Sequence, residues 1–154
     1  MNNYNFEKIT NELPRFSDGR IDYTNSRIAF VINAVLIHNN KILMLKRSDK
    51  VTTNKNSWDC IGGYYDENIT PIKILQKELK EEINLNLDYI DKIEELEIIE
   101  INDEKKWIIY PFIVYLNSKP KIQLDWEHTE YKWVNKDEVP IKIKQILNSP
   151  KKTH

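Results

Sequence analysis

The apolar pattern opens with residues 28–37, IAFVINAVLI, hydrophobic nearly throughout. That is the signature of a strand covered on both faces. His38-Asn39-Asn40 follows as a hairpin turn, its asparagines able to take positive φ. Residues 41–47, KILMLKR, then return as the partner strand. A polar loop over 48–57 leads to a short strand at 58–61, which feeds the adjacent pair Gly62 and Gly63, read as a glycine turn. A helix starts just beyond. Thr70 is its N-cap, and Pro71 suits the first helical position, where a missing N–H costs nothing. At roughly 100° per residue, Ile72, Leu75, Leu79 and Ile83 form one apolar stripe.

Downstream, β-branched residues and the Asn102-Asp103 turn predict a strand over 93–101. Residues 106–116, KWIIYPFIVYL, form a long aromatic strand whose Pro111 implies an edge, a bulge or a subunit contact. A short extension covers 119–124, and a further strand covers 127–135. Residues 136–140 open a last helix carrying Ile143, Ile146 and Leu147; residues 149–154 are expected to fray. The order predicts an α/β fold, a mixed β-sheet between helices. Residues 1–26 are polar with scattered apolar anchors and are read as an arm, packed on the domain (27–154) or on a second subunit. Within the arm, Arg15 and Arg20 are candidates to reach an anionic substrate, with a folded lead-in strand as the alternative.

Composition narrows the function classes. A chain of 154 residues, 40% hydrophobic and 31% charged, suits one globular domain. Its formal net charge of −1 argues against a general nucleic-acid binder. One cysteine, Cys60, permits no internal disulfide, which fits a cytoplasmic protein, and Cys60 reads as a small core residue. No apolar run approaches the roughly 20 residues of a membrane span, and the start MNNYNFEKIT lacks a signal-peptide core.

The candidate chemistry sits on the first helix. Glu78, Glu81 and Glu82 fall at i, i+3 and i+4, within an arc of about 100°. Like charges so placed repel. A hard divalent cation such as Mg²⁺ or Mn²⁺ removes that repulsion, and carboxylates with a backbone carbonyl are its preferred ligands. A solvated acidic face balanced by Lys77 and Lys80 is the plainer reading of these three residues alone.

The stretch from Gly63 to Leu85 resembles the signature of the Nudix hydrolases, G-x5-E-x7-R-E-U-x-E-E-x-G-U, with U apolar. Three positions depart: Ile69 replaces the first glutamate, Lys77 the arginine and Asn84 the second glycine. Asn84 can still take the left-handed conformation of a helix C-cap, and Asp66 or Glu67 stand near the lost carboxylate. Lys46-Arg47-Ser48, Trp58 ahead of the glycines, and the segment from Glu127 to Trp133 also resemble family features. The resemblance implies a Nudix-type mixed sheet sandwiched between helices. It further implies a metal held by Glu78, Glu81, Glu82 and the Gly62 carbonyl.

The activity that follows is metal-dependent hydrolysis of a phosphoanhydride in a nucleoside diphosphate-linked or nucleoside triphosphate substrate. Glu127 and Glu130 are the candidates for general base. Arg47, Tyr64 and His128 are the candidates for contact with phosphate or base, and Tyr65, Trp58, Trp107 and Tyr110 are further rings able to stack on a base. The competing readings are a catalytically weak nucleotide-sensing domain, motivated by Ile69, Lys77 and Asn84, and a diphosphate isomerase, whose catalytic cysteine would fall at Gly63. A homodimer is left open by the arm and the Pro111 strand.

Overall fold

The computed structural model describes residues 4–153. Its centre is one mixed sheet. Strands β1 (Ile28–His38) and β2 (Lys41–Arg47) form the expected hairpin, with Asn39 and Asn40 at φ 49° and 61°. β3 (Trp58–Asp59) and β8 (His128–Asn135) pair with β2, and β4 (Ile61–Tyr64) pairs with β1. On the other side of β1 lies β7 (Lys106–Leu116), parallel to it in unbroken register from Ile28↔Lys106 to Ile37↔Tyr115. The predicted strand over 93–101 is two strands, β5 (Ile90–Glu95) and β6 (Ile99–Asn102), both antiparallel to β7.

Pro111 explains that break. It has no N–H to give, and the neighbouring chain leaves the ladder beside it, with only Leu96 N–H reaching the Pro111 carbonyl at 3.0 Å. The proline therefore marks an irregularity inside the sheet. The 119–124 segment is not a strand. It crosses irregularly, with Gln123 N–H on the Ile83 carbonyl and Ile122 and Leu124 against the core.

Side-chain alternation divides the sheet between two cores. Leu43 and Leu45 of β2 face helix α2 (Pro71–Ile83), together with Phe30, Ile32, Leu75, Leu79 and Ile83. Ile42 and Met44 face helix α3 (Ile141–Leu147), with Val35, Cys60, Ile113, Ile143 and Ile146. The sheet is thus sandwiched between helices, as expected. Cys60 is a buried core residue, and burial pushes its thiol far above the usual range. The last helix begins at Ile141, after a single 3-10 turn at Lys136–Glu138, because Pro140 takes the N-cap.

Helix α2 follows its sequence signals with two corrections. Ile74, not Ile72, joins Leu75, Leu79 and Ile83 on the covered face, and Ile72 stays 40% exposed. Thr70 occupies the N-cap but makes no side-chain cap bond. Asn84 ends the helix left-handed, at φ 53° and ψ 42°.

The described segments near both ends pack on the domain. Helix α1 (Phe6–Thr10) brings Phe6 onto Tyr65, with ring centroids 3.8 Å apart, and Ile21 and Tyr23 are buried in the same core as α2. Arg15 Nη1 donates to the Thr10 and Leu13 carbonyls, and Arg20 pairs with Asp18 and with Asp66. Residues expected to fray at the other end are held as well. Lys152 N–H donates to the Glu95 carbonyl, and Glu97 N–H to that of Pro150, both at 2.9 Å. His154 lies outside the described residues. Among the described residues, no helix is long and apolar enough to cross a membrane.

Candidate active site

Gly62 and Gly63 form no turn. Both lie in β4, opposite Asn33 and Ile32 of β1, and neither has positive φ. They are glycines for want of space. A Cβ on Gly62 would stand 2.5 Å from Nδ2 of Asn33, and one on Gly63 would stand 2.5 Å from the carboxyl carbon of Glu78. The strand thus lets two polar side chains press against its backbone from opposite faces.

Gly62 also anchors the helix glutamates. Its N–H donates to Oε2 of Glu82 at 3.2 Å. In an antiparallel strand the N–H and C=O of one residue point the same way, so the Gly62 carbonyl faces the edge that Glu82 occupies. Glu82 is 2% exposed, Glu78 is half-buried and Glu81 is exposed. Burial is the main force raising the Glu78 carboxyl, to about 8, and repulsion from Glu81, Glu127 and Asp66 adds to it. Glu82 is lifted well above the ordinary carboxylate range, first by burial and then by Glu78, Glu127 and Asp125. Among the described residues, no lysine or arginine forms an ion pair with Glu78, Glu81, Glu82 or Glu127.

A tight turn at residues 125–128 closes the site over the end of α2. Asp125 N–H donates to the Glu82 carbonyl at 3.3 Å, Glu127 N–H to Oδ1 of Asp125 at 3.1 Å, and Ser48 N–H to the Glu127 carbonyl at 2.7 Å. This brings Glu127 to the cluster. Its carboxyl is raised by burial and by Asp125, with Arg47 opposing the rise. Glu130 goes elsewhere. It pairs across with Lys46, one residue out of step with Leu45, so its side chain lies on the α3 face and forms a 3.2 Å ion pair with Lys46.

The expected substrate contacts are placed as follows. Arg47 donates through Nε to the Thr53 carbonyl at 3.0 Å and lies near enough to bias Glu127. Tyr64 is 46% exposed and stacks on Tyr23, with centroids 5.6 Å apart. It lies next to Gly63, on the opposite face of β4 from Glu78. The His128 side chain is only 1% exposed, enclosed between Glu82 and Asp125, so it presents no face to an incoming phosphate. Tyr65 and Tyr110 are buried in the core.

The departures from the signature are also accounted for. Ile69 packs against the core, and its carbonyl accepts from the Tyr65 hydroxyl at 2.6 Å. Glu67, two residues earlier, pairs with Lys77. Asp125, Asn33 and Trp126 were not singled out by sequence. Asp125 carried a usable signal, since an aspartate two residues before Glu127 can cap a turn with its side chain. Asn33 was hidden in an apolar run. Trp126, 62% exposed beside Glu127, looks like any loop residue in sequence.

The donor set suits a hard divalent cation. It offers carboxylate oxygens and a backbone carbonyl, partly buried and without a protein cation against them. Among the described residues, no three acidic, histidine or cysteine side chains already stand together at metal-ligand spacing.

A family model described as the NUDIX domain matches residues 28–153. The chain belongs to the Nudix family. It is a hydrolase of that family, and solved Nudix structures share its fold. The MutT protein from Methanosarcina mazei Go1 superposes with a TM-score of 0.65 at 22% identity, over 77% of this chain and 89% of that one. A C. elegans Ap4A hydrolase gives 0.62 at 18% identity, over 77% and 92%. A bifunctional NMN adenylyltransferase/ADP ribose pyrophosphatase from Francisella tularensis, complexed with AMP and a Mn ion, gives 0.58 at 22% identity, over 80% and 37%. No curated protein matches the chain. In this Nudix hydrolase, the signature helix and the Gly62–Gly63 strand frame the candidate site.

Proposed function

We propose that this Nudix hydrolase cleaves a phosphoanhydride bond in a nucleoside diphosphate-linked or nucleoside triphosphate substrate, with Mg²⁺ or Mn²⁺ as cofactor. One observation carries the reading. Glu78, Glu82 and Glu127 are partly or fully buried within electrostatic reach of one another, Glu82 on Gly62 N–H and Glu81 exposed beside Glu78, with no lysine or arginine paired to any of the four among the described residues. Structural charge clusters normally include the opposite sign, because uncompensated burial is costly.

Glu78, Glu81, Glu82 and the Gly62 carbonyl are the ligands in this reading. A divalent cation, when bound, neutralises the diphosphate, polarises phosphorus and acidifies water. The protein's own groups do the rest. Gly62 N–H and the packing of Gly63 against Glu78 hold two of the carboxylates in place. Glu127, fixed by Ser48 and Asp125, takes the proton of the attacking water. Arg47 offers its charge to a substrate phosphate. Trp126, exposed beside Glu127, offers a ring face to a base.

The test is turnover on a panel of nucleoside diphosphate derivatives and triphosphates, with Mg²⁺, with Mn²⁺ and with chelator. Metal-dependent release from one class is expected, and Glu82→Gln is expected to lose at least about 100-fold in kcat while staying folded. Near-wild-type turnover in that variant would sink the assignment. A second reading, nucleotide sensing without turnover, is favoured by one observation: Ile69 packs on the core where the signature has a carboxylate. Silence across the panel with nucleotide still bound would select it.

A further inference from the structure

We propose that His128 is a positioning residue: with Asp125 behind it, it fixes the orientation of the Glu82 carboxylate for a divalent cation. The inference rests on the metal-dependent reading above and deepens it. His128, expected as a phosphate or base contact, is enclosed instead of facing solvent. Its side chain is 1% exposed and that of Glu82 2%.

The two imidazole nitrogens face two carboxylates. Nδ1 lies 3.3 Å from Oδ1 of Asp125, and Nε2 lies 3.7 Å from Oε1 of Glu82. The second contact is just beyond hydrogen-bond length. The far oxygen of Glu82, Oε2, accepts from Gly62 N–H at 3.2 Å. Oε2 of this carboxylate is thus hydrogen-bonded to β4, while Oε1 is walled in by the His128 ring from the 125–128 turn without a hydrogen bond at this distance. Rotation about the last side-chain bond would break the Gly62 bond and press against the imidazole.

Asp125 is itself immobilised. Its Oδ1 accepts from Glu127 N–H at 3.1 Å, and its own N–H is bonded to the Glu82 carbonyl. The chain of support starts on the Glu82 backbone, runs through Asp125 and His128, and returns to the Glu82 side chain. A ligand carboxylate held in this way keeps its remaining lone pairs aimed in one direction. Outer partners of metal ligands act by such orientation, and their loss typically costs 10–100-fold in metal affinity.

The experiment is Mn²⁺ binding by titration calorimetry to wild type, His128→Phe, His128→Gln and Asp125→Asn, with kcat and KM measured at saturating Mn²⁺. Chelator-treated protein is melted first to establish folding. His128→Phe is expected to bind Mn²⁺ about 10–100-fold more weakly, with lower kcat and an unchanged substrate KM. His128→Gln, whose amide reaches toward Oε1, is expected to recover most of that affinity, and Asp125→Asn to show a smaller loss of the same kind. Unchanged Mn²⁺ affinity in a folded His128→Phe overturns the proposal, with a raised KM making His128 a substrate group and an unchanged KM making it packing alone. If His128→Phe does not fold, Asp125→Asn decides by the same readouts: weaker Mn²⁺ binding supports the proposal and wild-type binding overturns it. Absence of Mn²⁺ binding in the wild type would instead bring down the metal-dependent reading itself.

Discussion

Gly63 and the Glu78 carboxyl occupy space that cannot be shared with a methyl group. The clash falls on the free end of a flexible side chain, so the strand would survive and the glutamate would swing away. Gly63→Ala is therefore expected to fold normally and to lose about 10–100-fold in Mn²⁺ affinity, read by calorimetry. Wild-type affinity in that variant would show that Glu78 is no ligand. The same carboxyl predicts how pH acts on the metal-free protein. Its folded value, about 8, stands above the ordinary 4.5, so the folded state holds a proton that the unfolded chain gives up. Its contribution to stability is full below the ordinary value and is lost as pH rises through the folded one. In chelator, Tm should fall between about pH 4.5 and about pH 8, and Mg²⁺ should flatten the slope. A flat profile in chelator would contradict the burial described here. At this scale the sequence displayed the helix glutamates openly, because spacing alone puts them on one patch. It offered no way to choose Glu127 over Glu130. The pairing of β8 with β2 puts Glu130 on the α3 face, while the 125–128 turn ahead of β8 brings Glu127 toward the helix glutamates.

Helix α2 was the most legible element, since Pro71 and Asn84 bracket it. The left-handed Asn84 receives the end of the helix, its N–H returning to Lys80 and that of Leu85 to Leu79. Asn84→Ala should cost about 1–2 kcal/mol and lower Tm by several degrees, while Asn84→Gly should be neutral or slightly stabilising. Equal Tm for the alanine and wild-type proteins would mean that the cap carries no strain. Other elements escaped the sequence for stated reasons. Ile72 and Ile74 lie about 200° apart around the helix, and only docking on the sheet covers one and exposes the other. The break between β5 and β6 depends on Pro111 in a strand that has not yet been reached in chain order. The final residues are held by Leu96 and Glu95, partners some fifty positions away, which local composition cannot reveal.

For the molecule as a whole, the apolar run over residues 28–37 already implied a sheet covered on both faces, and β2 divides Leu43 and Leu45 from Ile42 and Met44 in the same way. What sequence left open was how much of the chain covers them. The family match begins at residue 28, yet Phe6, Ile21 and Tyr23 are buried in the core beneath α2. Ile21 N–H donates to the Asp66 carbonyl at 2.8 Å, and the Tyr23 hydroxyl donates to the Tyr65 carbonyl, so the loop between β4 and the signature helix is clasped from outside the matched region. The matched region is therefore smaller than the packed unit. An excised piece covering residues 27–154 should expose the apolar floor left by these three side chains. It should bind a hydrophobic dye, aggregate on concentration and melt well below the whole chain. A soluble fragment with the melting temperature of the parent would show that the clasp is dispensable. If the fragment fails as expected, the family-matched part of this molecule cannot be transplanted into a fusion on its own, and its first two dozen residues must travel with it.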